Sequence, residues 1–158
     1  MYNLKSFEPD SSEPPVEEVQ IVGLKEESLV EQAIVFKGVP ADAKRCSLNW
    51  QQADASERSF TVVGQGLTRA RQLSGFPGEG EPVSFNSLRE FESGDEVPSF
   101  SPDFTRWPEN EGPFVHLAGP IDCSEEIYLR ISLQVSQGDG FIHLAQDEKN
   151  SFYIAYTT

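Results

Sequence analysis

Apolar and polar residues alternate with a period of two over much of this chain, most clearly in Ile127-Tyr-Leu-Arg-Ile-Ser-Leu-Gln-Val135. That run places Ile127, Leu129, Ile131, Leu133 and Val135 on one face and Tyr128, Arg130, Ser132 and Gln134 on the other. Successive side chains leave a strand on opposite faces, so the run predicts a strand with one face turned to a core. Downstream, Gln137-Gly-Asp-Gly140 is a hairpin signal, Phe141-Ile-His-Leu-Ala-Gln146 a strand, Asp147-Glu-Lys-Asn150 a turn and Ser151-Phe-Tyr-Ile-Ala-Tyr156 a last strand. The C-terminal third therefore reads as a three-stranded meander.

Upstream, Glu31-Gln-Ala-Ile-Val-Phe-Lys37 is rich in strand formers and stops at Gly38-Val-Pro40, while Cys46-Ser-Leu-Asn-Trp50 alternates again. Phe60-Thr-Val-Val63 predicts a further strand, interrupted by Gly64-Gln-Gly66, after which Leu67 to Leu73 either continues it or coils. Val19-Gln-Ile-Val22 alternates weakly and is read as a first edge strand; the helical alternative over Lys25 to Gln32 is short and lacks an apolar face. Between Ser74 and Gly119 Pro and Gly are so frequent that long helices are excluded, leaving ordered loops with short strands at Val83-Ser-Phe85 and Phe114-Val-His-Leu117.

Many short strands, turn signals between them and no sustained helical period predict an all-β fold: an antiparallel β-sandwich, of jelly-roll or immunoglobulin-like type, with long Pro/Gly-rich middle loops. The 158 residues fit one domain. Residues 8 to 31 carry eight acids (Glu8, Asp10, Glu13, Glu17, Glu18, Glu26, Glu27, Glu31) against Lys25 alone, with Pro14-Pro15 near the start. The expected division is an acidic flexible extension over 1–18 and a single β-sandwich domain over 19–158.

Hydrophobic residues make up 37% and Phe contributes 11, enough for a core built on aromatic anchors rather than a disordered chain. A formal charge of −14 repels phosphate backbones and anionic lipid surfaces, so nucleic-acid binding and electrostatic membrane docking are not expected. No apolar stretch approaches the roughly 20 residues needed to span a bilayer, and the first ten residues have no signal-peptide core. Cys46 and Cys123 each sit just before an alternating run, as if to pin two distant strands together. Bridged, they would close a loop of roughly 80 residues and remove unfolded-state entropy worth on the order of 4 kcal/mol, which favours an oxidising compartment. Unbridged, they are buried thiols at unrelated sites of a cytosolic protein. The only methionine, Met1, fits either a natural cytosolic start or a mature secreted domain whose leader was removed and whose Met1 was added for expression.

The segment Phe36-Lys-Gly-Val-Pro-Ala-Asp-Ala-Lys-Arg-Cys-Ser-Leu-Asn-Trp50 combines an apolar strand, a proline, a short loop and Cys-x-Leu-x-aromatic. It is followed by a Pro/Gly-rich middle, Asp122-Cys123 leading into a strand, a strand ending at Gln146, and a terminal Phe152-Tyr-Ile-Ala-Tyr156. In that order these elements, over roughly residues 30 to 158, resemble the C-terminal domain family of the fungal ubiquitin 3 binding protein. The resemblance implies a fungal, secreted or cell-surface β domain with paired cysteines and a largely undefined biochemical role. It supplies no residues for an association with the ubiquitin-like modifier system.

Chemistry-bearing motifs are sparse. His116 and His143 sit in Phe114-Val-His-Leu117 and Phe141-Ile-His-Leu144, opposite apolar neighbours, and are expected on a polar face. Convergence with Asp122 or Asp147 would make a metal site, which needs three or four ligands; hydrogen-bonded strand histidines are the default, and neither metal nor cofactor is assigned. No Gly-x-Ser-x-Gly elbow occurs, and Gly64-Gln-Gly66 lacks the third glycine of a phosphate-cradling turn. Carboxylates at Glu79, Glu81, Glu90, Glu92, Asp95, Glu96, Asp103 and Glu109 are too many to single out a glycosidase pair. Ser93-Gly-Asp-Glu96 and Gln137-Gly-Asp-Gly140 are oxygen-rich loops without EF-hand spacing.

The remaining hint is aromatic: Phe76, Phe85, Phe91, Phe100, Phe104 and Trp107 are spread through the middle. Phe104-Thr-Arg-Trp107 on a loop would stack on a sugar ring or anchor a protein, unless these rings pack the loops onto the sheet. Candidate ligand contacts are thus Phe104, Arg106, Trp107 and His116, with Cys46 and Cys123 as the disulfide and no catalytic residue assigned. The function expected is a non-enzymatic binding domain, taking a protein or carbohydrate ligand, at a fungal cell surface or outside the cell. The alternatives are a small carbohydrate-active or small-molecule-converting enzyme with a loop-lined cleft, and a cytosolic protein-docking scaffold. Oligomeric state is left open.

Overall fold

A computed structural model describes residues 1–92 and 99–158. Over these residues eleven strands run in the order β1 (Tyr2–Lys5), β2 (Val19–Leu24), β3 (Glu27–Lys37), β4 (Lys44–Gln52), β5 (Phe60–Gly64), β6 (Thr68–Gln72), β7 (Ser99–Phe100), β8 (Phe114–Pro120), β9 (Glu126–Leu133), β10 (Gly140–Leu144) and β11 (Ser151–Thr157). They form two antiparallel sheets packed as a β-sandwich. The larger runs β5-β10-β2-β3-β9-β6-β7 with β1 also paired to β3, and the smaller is β11-β4-β8. Each alternating run of the sequence is a strand, except that Val83-Ser-Phe85 is a loop.

The inward faces meet in a core that is aromatic on the side of the small sheet. Leu48 and Trp50 of β4 and Phe152 of β11 face Ile127, Leu129, Ile131 and Leu133 of β9, with Ile21, Ile142 and Leu144 alongside. Burial of this set follows from the period-two pattern, and each fully buried aliphatic side chain contributes about 1.5–3 kcal/mol. Phe104 and Trp107, from the long loop before β8, fill the same core: Phe104 lies 4.3 Å from Trp107 and 6.3 Å from Phe152, centroid to centroid.

The expected C-terminal meander does not form. β9 pairs with β3 and β6, β10 with β2 and β5, and β11 crosses to β4 in the other sheet. Alternation identifies strands but not their partners. The link between β9 and β10 is a 3-10 turn ending at Gly138, with φ +116°, which is not a two-residue hairpin loop and carries the chain across the end of the sheet.

Residues 1–18 are not a free extension. β1 pairs with β3, Tyr2 opposite Ala33 and Lys5 opposite Val30, and Leu4 is fully buried. Leu4, Ala33, Leu73, Val83 and Leu88 form a second core on the outer face of the large sheet, with Phe76 stacked 5.1 Å from Tyr128. The Pro/Gly-rich loop over 74–92 thus packs on that face, and Asn86 and Val83 bond back to Pro9 and Ser12. An acidic segment looked solvated because its few apolar residues are short of any period; one buried leucine and backbone pairing suffice to fold it down.

Cys46 and Cys123 are disulfide-bonded, with Cα atoms 5.3 Å apart. The bridge ties the start of β4 to the crossover between β8 and β9, where Ile121 also donates its N–H to the Cys46 carbonyl.

Candidate functional site

Of the four candidate ligand contacts, three are core residues. Phe104 has no exposed surface and Trp107 is also buried, so neither ring is presented to a sugar or a partner. His116, expected on a polar face, points inward. It lies opposite Trp50 in the β4–β8 register, so the side of β8 that shares the face of Trp50 enters the core and carries His116 with it. The imidazole stacks on Trp107 at 4.1 Å between centroids and its Nε2 meets the Gln52 Oε1 at 2.8 Å. Gln52 donates its amide N–H groups to the carbonyls of Asn110 and Gly112, which leaves its oxygen as acceptor and assigns the imidazole proton to Nε2. Burial, and secondarily the Arg58 guanidinium, lower the pKa of His116 to about 4. At neutral pH it is an uncharged packing and hydrogen-bonding group. Arg106 alone of the four is exposed.

His143 is on β10 in the large sheet and bonds Glu18 at 2.6 Å, so the two histidines do not converge. Among the described residues no group of three His, Cys, Asp or Glu side chains is arranged to hold a metal ion. The oxygen-rich loop Ser93-Gly-Asp-Glu96, with Asp95 and Glu96, lies outside the described residues.

With His116 inward, its neighbours Val115 and Leu117 are turned outward, 54% and 70% exposed, and Phe114 at the strand end is 48% exposed. Three of the seven exposed large apolar residues among those described are therefore on β8. Register extends this surface across the sheet: Leu117 lies opposite Asn49 and Val115 opposite Gln51, which in turn face Tyr153 and Ser151 of β11. Ser47 and Ala155 continue it. The outer side of the small sheet thus carries two apolar rails, Val115 and Leu117 on β8 and Tyr153 and Ala155 on β11. They flank the half-buried Ser47 and Gln51 and, between these, the buried Asn49, whose amide donates to Ser47. No charged side chain lies between Ser47 and Gln51 or on their paired positions. In a chain where 24% of residues are charged, that is a distinct surface. β8 is an edge strand, so its outer backbone groups are unpaired within the sheet.

At one end the face opens into a cleft of about 730 Å³. Gln51 and Val115 belong to both, and Phe114, Asp54, Glu57 and Lys149 are among its other walls. Its floor is rigid: the buried Asn150 accepts the Ala53 N–H at 2.9 Å and donates to the Glu57 carbonyl. The Asp147 carboxylate accepts the Lys149 and Asn150 N–H groups, which lower its pKa. Lys149 pairs with Glu57, leaving Asp54 and Glu148 to make this rim acidic.

The sequence pattern hid this face because Val115 and Leu117 have the composition of core residues. The one available signal was His116 between them, since a buried strand face alternating with histidine is ambiguous as to which side is in.

No family model, no curated protein and no solved structure matches the chain. The resemblance to the fungal domain family therefore rests on its short motifs alone. The fold and site define an acidic, disulfide-bonded β-sandwich with an uncharged, apolar outer face on its smaller sheet.

Proposed function

We propose that the chain is a non-enzymatic interaction domain of an oxidising compartment, outside the cell or at its surface, and that it docks a polypeptide on the outer face of the small sheet and the free edge of β8. The observation that carries this is the clustering of Phe114, Val115 and Leu117 beside an uncharged sheet face. Exposed contiguous apolar surface rimmed by polar residues marks interaction sites. An extended segment added to the β8 edge would gain main-chain hydrogen bonds, and alternate side chains would meet Val115 and Leu117. A second copy is disfavoured by the charge of −14, whereas a segment with basic residues next to its apolar ones suits the acidic rim of Asp54 and Glu148. The disulfide supports the oxidising compartment; the family resemblance would make the surface a fungal one.

The test is selection of a displayed random-peptide library on the folded, oxidised protein, with counter-selection on Leu117→Lys. Enriched peptides should alternate apolar residues, carry Lys or Arg at one end, and bind Leu117→Lys at least tenfold more weakly. Enrichment of peptides that bind the variant equally well would refute the assignment.

A second reading draws on the cleft, where Phe114 adjoins the Gln51 amide and the carboxylates of Asp54 and Glu148: a glycan would stack on the ring and bond the Gln51 amide. Binding of neutral oligosaccharides that is lost in Phe114→Ala but kept in Leu117→Lys would favour it over a polypeptide.

A further inference from the structure

On the outer face of the larger sheet, four of the chain's seven arginines, Arg69, Arg71, Arg89 and Arg130, line one hollow of about 330 Å³. Glu31 and Glu92 also line it, so four positive groups against two negative ones leave a net +2, in a chain of net charge −14. The long-range field of this protein disfavours anions, so any anion held here is held by local geometry.

Arg130 is the fixed member. It is almost fully buried; its Nε donates to Glu31 Oε1 at 2.8 Å, and its Nη1 donates to the Phe85 carbonyl and lies 3.5 Å from Glu92 Oε1. Its guanidinium stands 4.6 Å from the Phe85 ring centroid, and that of Arg89 5.7 Å from the same ring. Both carboxylates of the hollow are thereby engaged by Arg130. Among the described residues, Arg69, Arg71 and Arg89 make no ion pair. Arg71 lies directly opposite Arg130 in the β6–β9 register, and Arg69, opposite Ser132, shares the same face. Like charges directly opposite on a sheet repel, and a sequence that places them there, next to a third and fourth arginine, is explained by a counter-ion between them.

We propose that this hollow binds a compact dianionic oxyanion: inorganic phosphate or sulfate, or the phosphate monoester of a small molecule. Guanidinium forks match such oxygens bidentately, a charge of −2 balances the site, and the volume is at the lower end of small-molecule sites. A monocarboxylate would leave half of the excess charge uncompensated.

Two readouts test this. Isothermal titration with inorganic phosphate, sulfate, glucose 6-phosphate, glucose and acetate, at constant ionic strength in chloride, should give saturable one-to-one binding for the dianions only. A sugar phosphate that binds tighter than the free ion would identify an ester as the ligand; equal binding would identify the ion itself. Thermal unfolding should show a rise in Tm with phosphate concentration, as binding to the native state alone requires. Arg71→Gln separates ligand binding from structure: without phosphate it should melt at the same or a higher temperature, because the repulsion with Arg130 is gone, yet it should lose the phosphate-dependent rise and bind at least tenfold more weakly. Arg45→Gln, away from the hollow, should match the wild type. Absence of saturable binding, equal binding by Arg71→Gln, or binding only after Asp95→Asn and Glu96→Gln, which would make the counter-charge the chain's own, overturns the proposal.

Discussion

At His116 burial and the Arg58 guanidinium both disfavour the imidazolium, and the consequence is a pH dependence of stability with a definite sign. The unfolded chain takes up this proton near 6.5, the native one only near 4. The contribution is complete above pH 6.5 and is lost as pH falls from there towards 4, by roughly 2 kcal/mol at pH 4.5. Urea unfolding at pH 7 and 4.5 should show the wild type losing about that much more stability than His116→Gln; parallel losses would contradict the buried, neutral assignment. The same scale separates packing from contact in the loop before β8. Phe104→Ala and Trp107→Ala should each cost about 3–5 kcal/mol, while Arg106→Ala, on an exposed side chain, should stay within about 0.5 kcal/mol. These residues were legible in the sequence as a group with something to do. What was not legible was that the Phe104 ring faces Phe152 and the Trp107 ring faces Phe60 and His116, because a loop's apolar residues carry no period from which to read a direction.

Among the elements, the alternating strands were readable, but β1 and β7 were not, and neither was the pairing. Ile127 to Leu133 is buried as its alternation required, yet its neighbours are β3 and β6, distant in sequence, rather than the strand that follows. The tight hairpin from β2 to β3 was missed for a chemical reason. Its turn is Lys25-Glu26, both with positive φ (51° and 64°), a geometry that usually announces itself with an Asn-Gly pair. Asp139 partly compensates by accepting the Lys25 N–H at 2.8 Å. Installing that pair through the double substitution Lys25→Asn and Glu26→Gly should raise stability by about 1 kcal/mol, since a non-glycine residue in the left-handed region costs about that much. A fall in the urea midpoint would mean that the native turn is not strained. The free edge of β8 belongs to this scale too: Pro120 closes its end, but Val115 and Leu117 leave its middle open to another strand.

For the molecule as a whole, pairing between strands far apart in sequence makes unfolded-state entropy the main opposing term. The Cys46–Cys123 bridge, spanning 77 positions, reduces it by about 4.5 kcal/mol in the chain-entropy model. Cys46→Ala with Cys123→Ala should therefore lower unfolding free energy by roughly that amount, and a loss below about 1 kcal/mol would show the bridge to be incidental. The two sheets also divide the surface between them: the N-terminal strand and the 74–92 loop cover much of the larger one's outer side, whereas among the described residues no such segment forms a core against the smaller one's. That asymmetry, rather than any reactive group, is what points to docking on the small sheet. The most direct test is amide chemical-shift mapping of the isotope-labelled protein with a library-selected peptide. Shifts confined to Ser47 to Gln51, Val115 to Pro120 and Ser151 to Ala155 are expected. Shifts centred on Phe104 to Trp107, or on the outer face of the large sheet, would contradict the account.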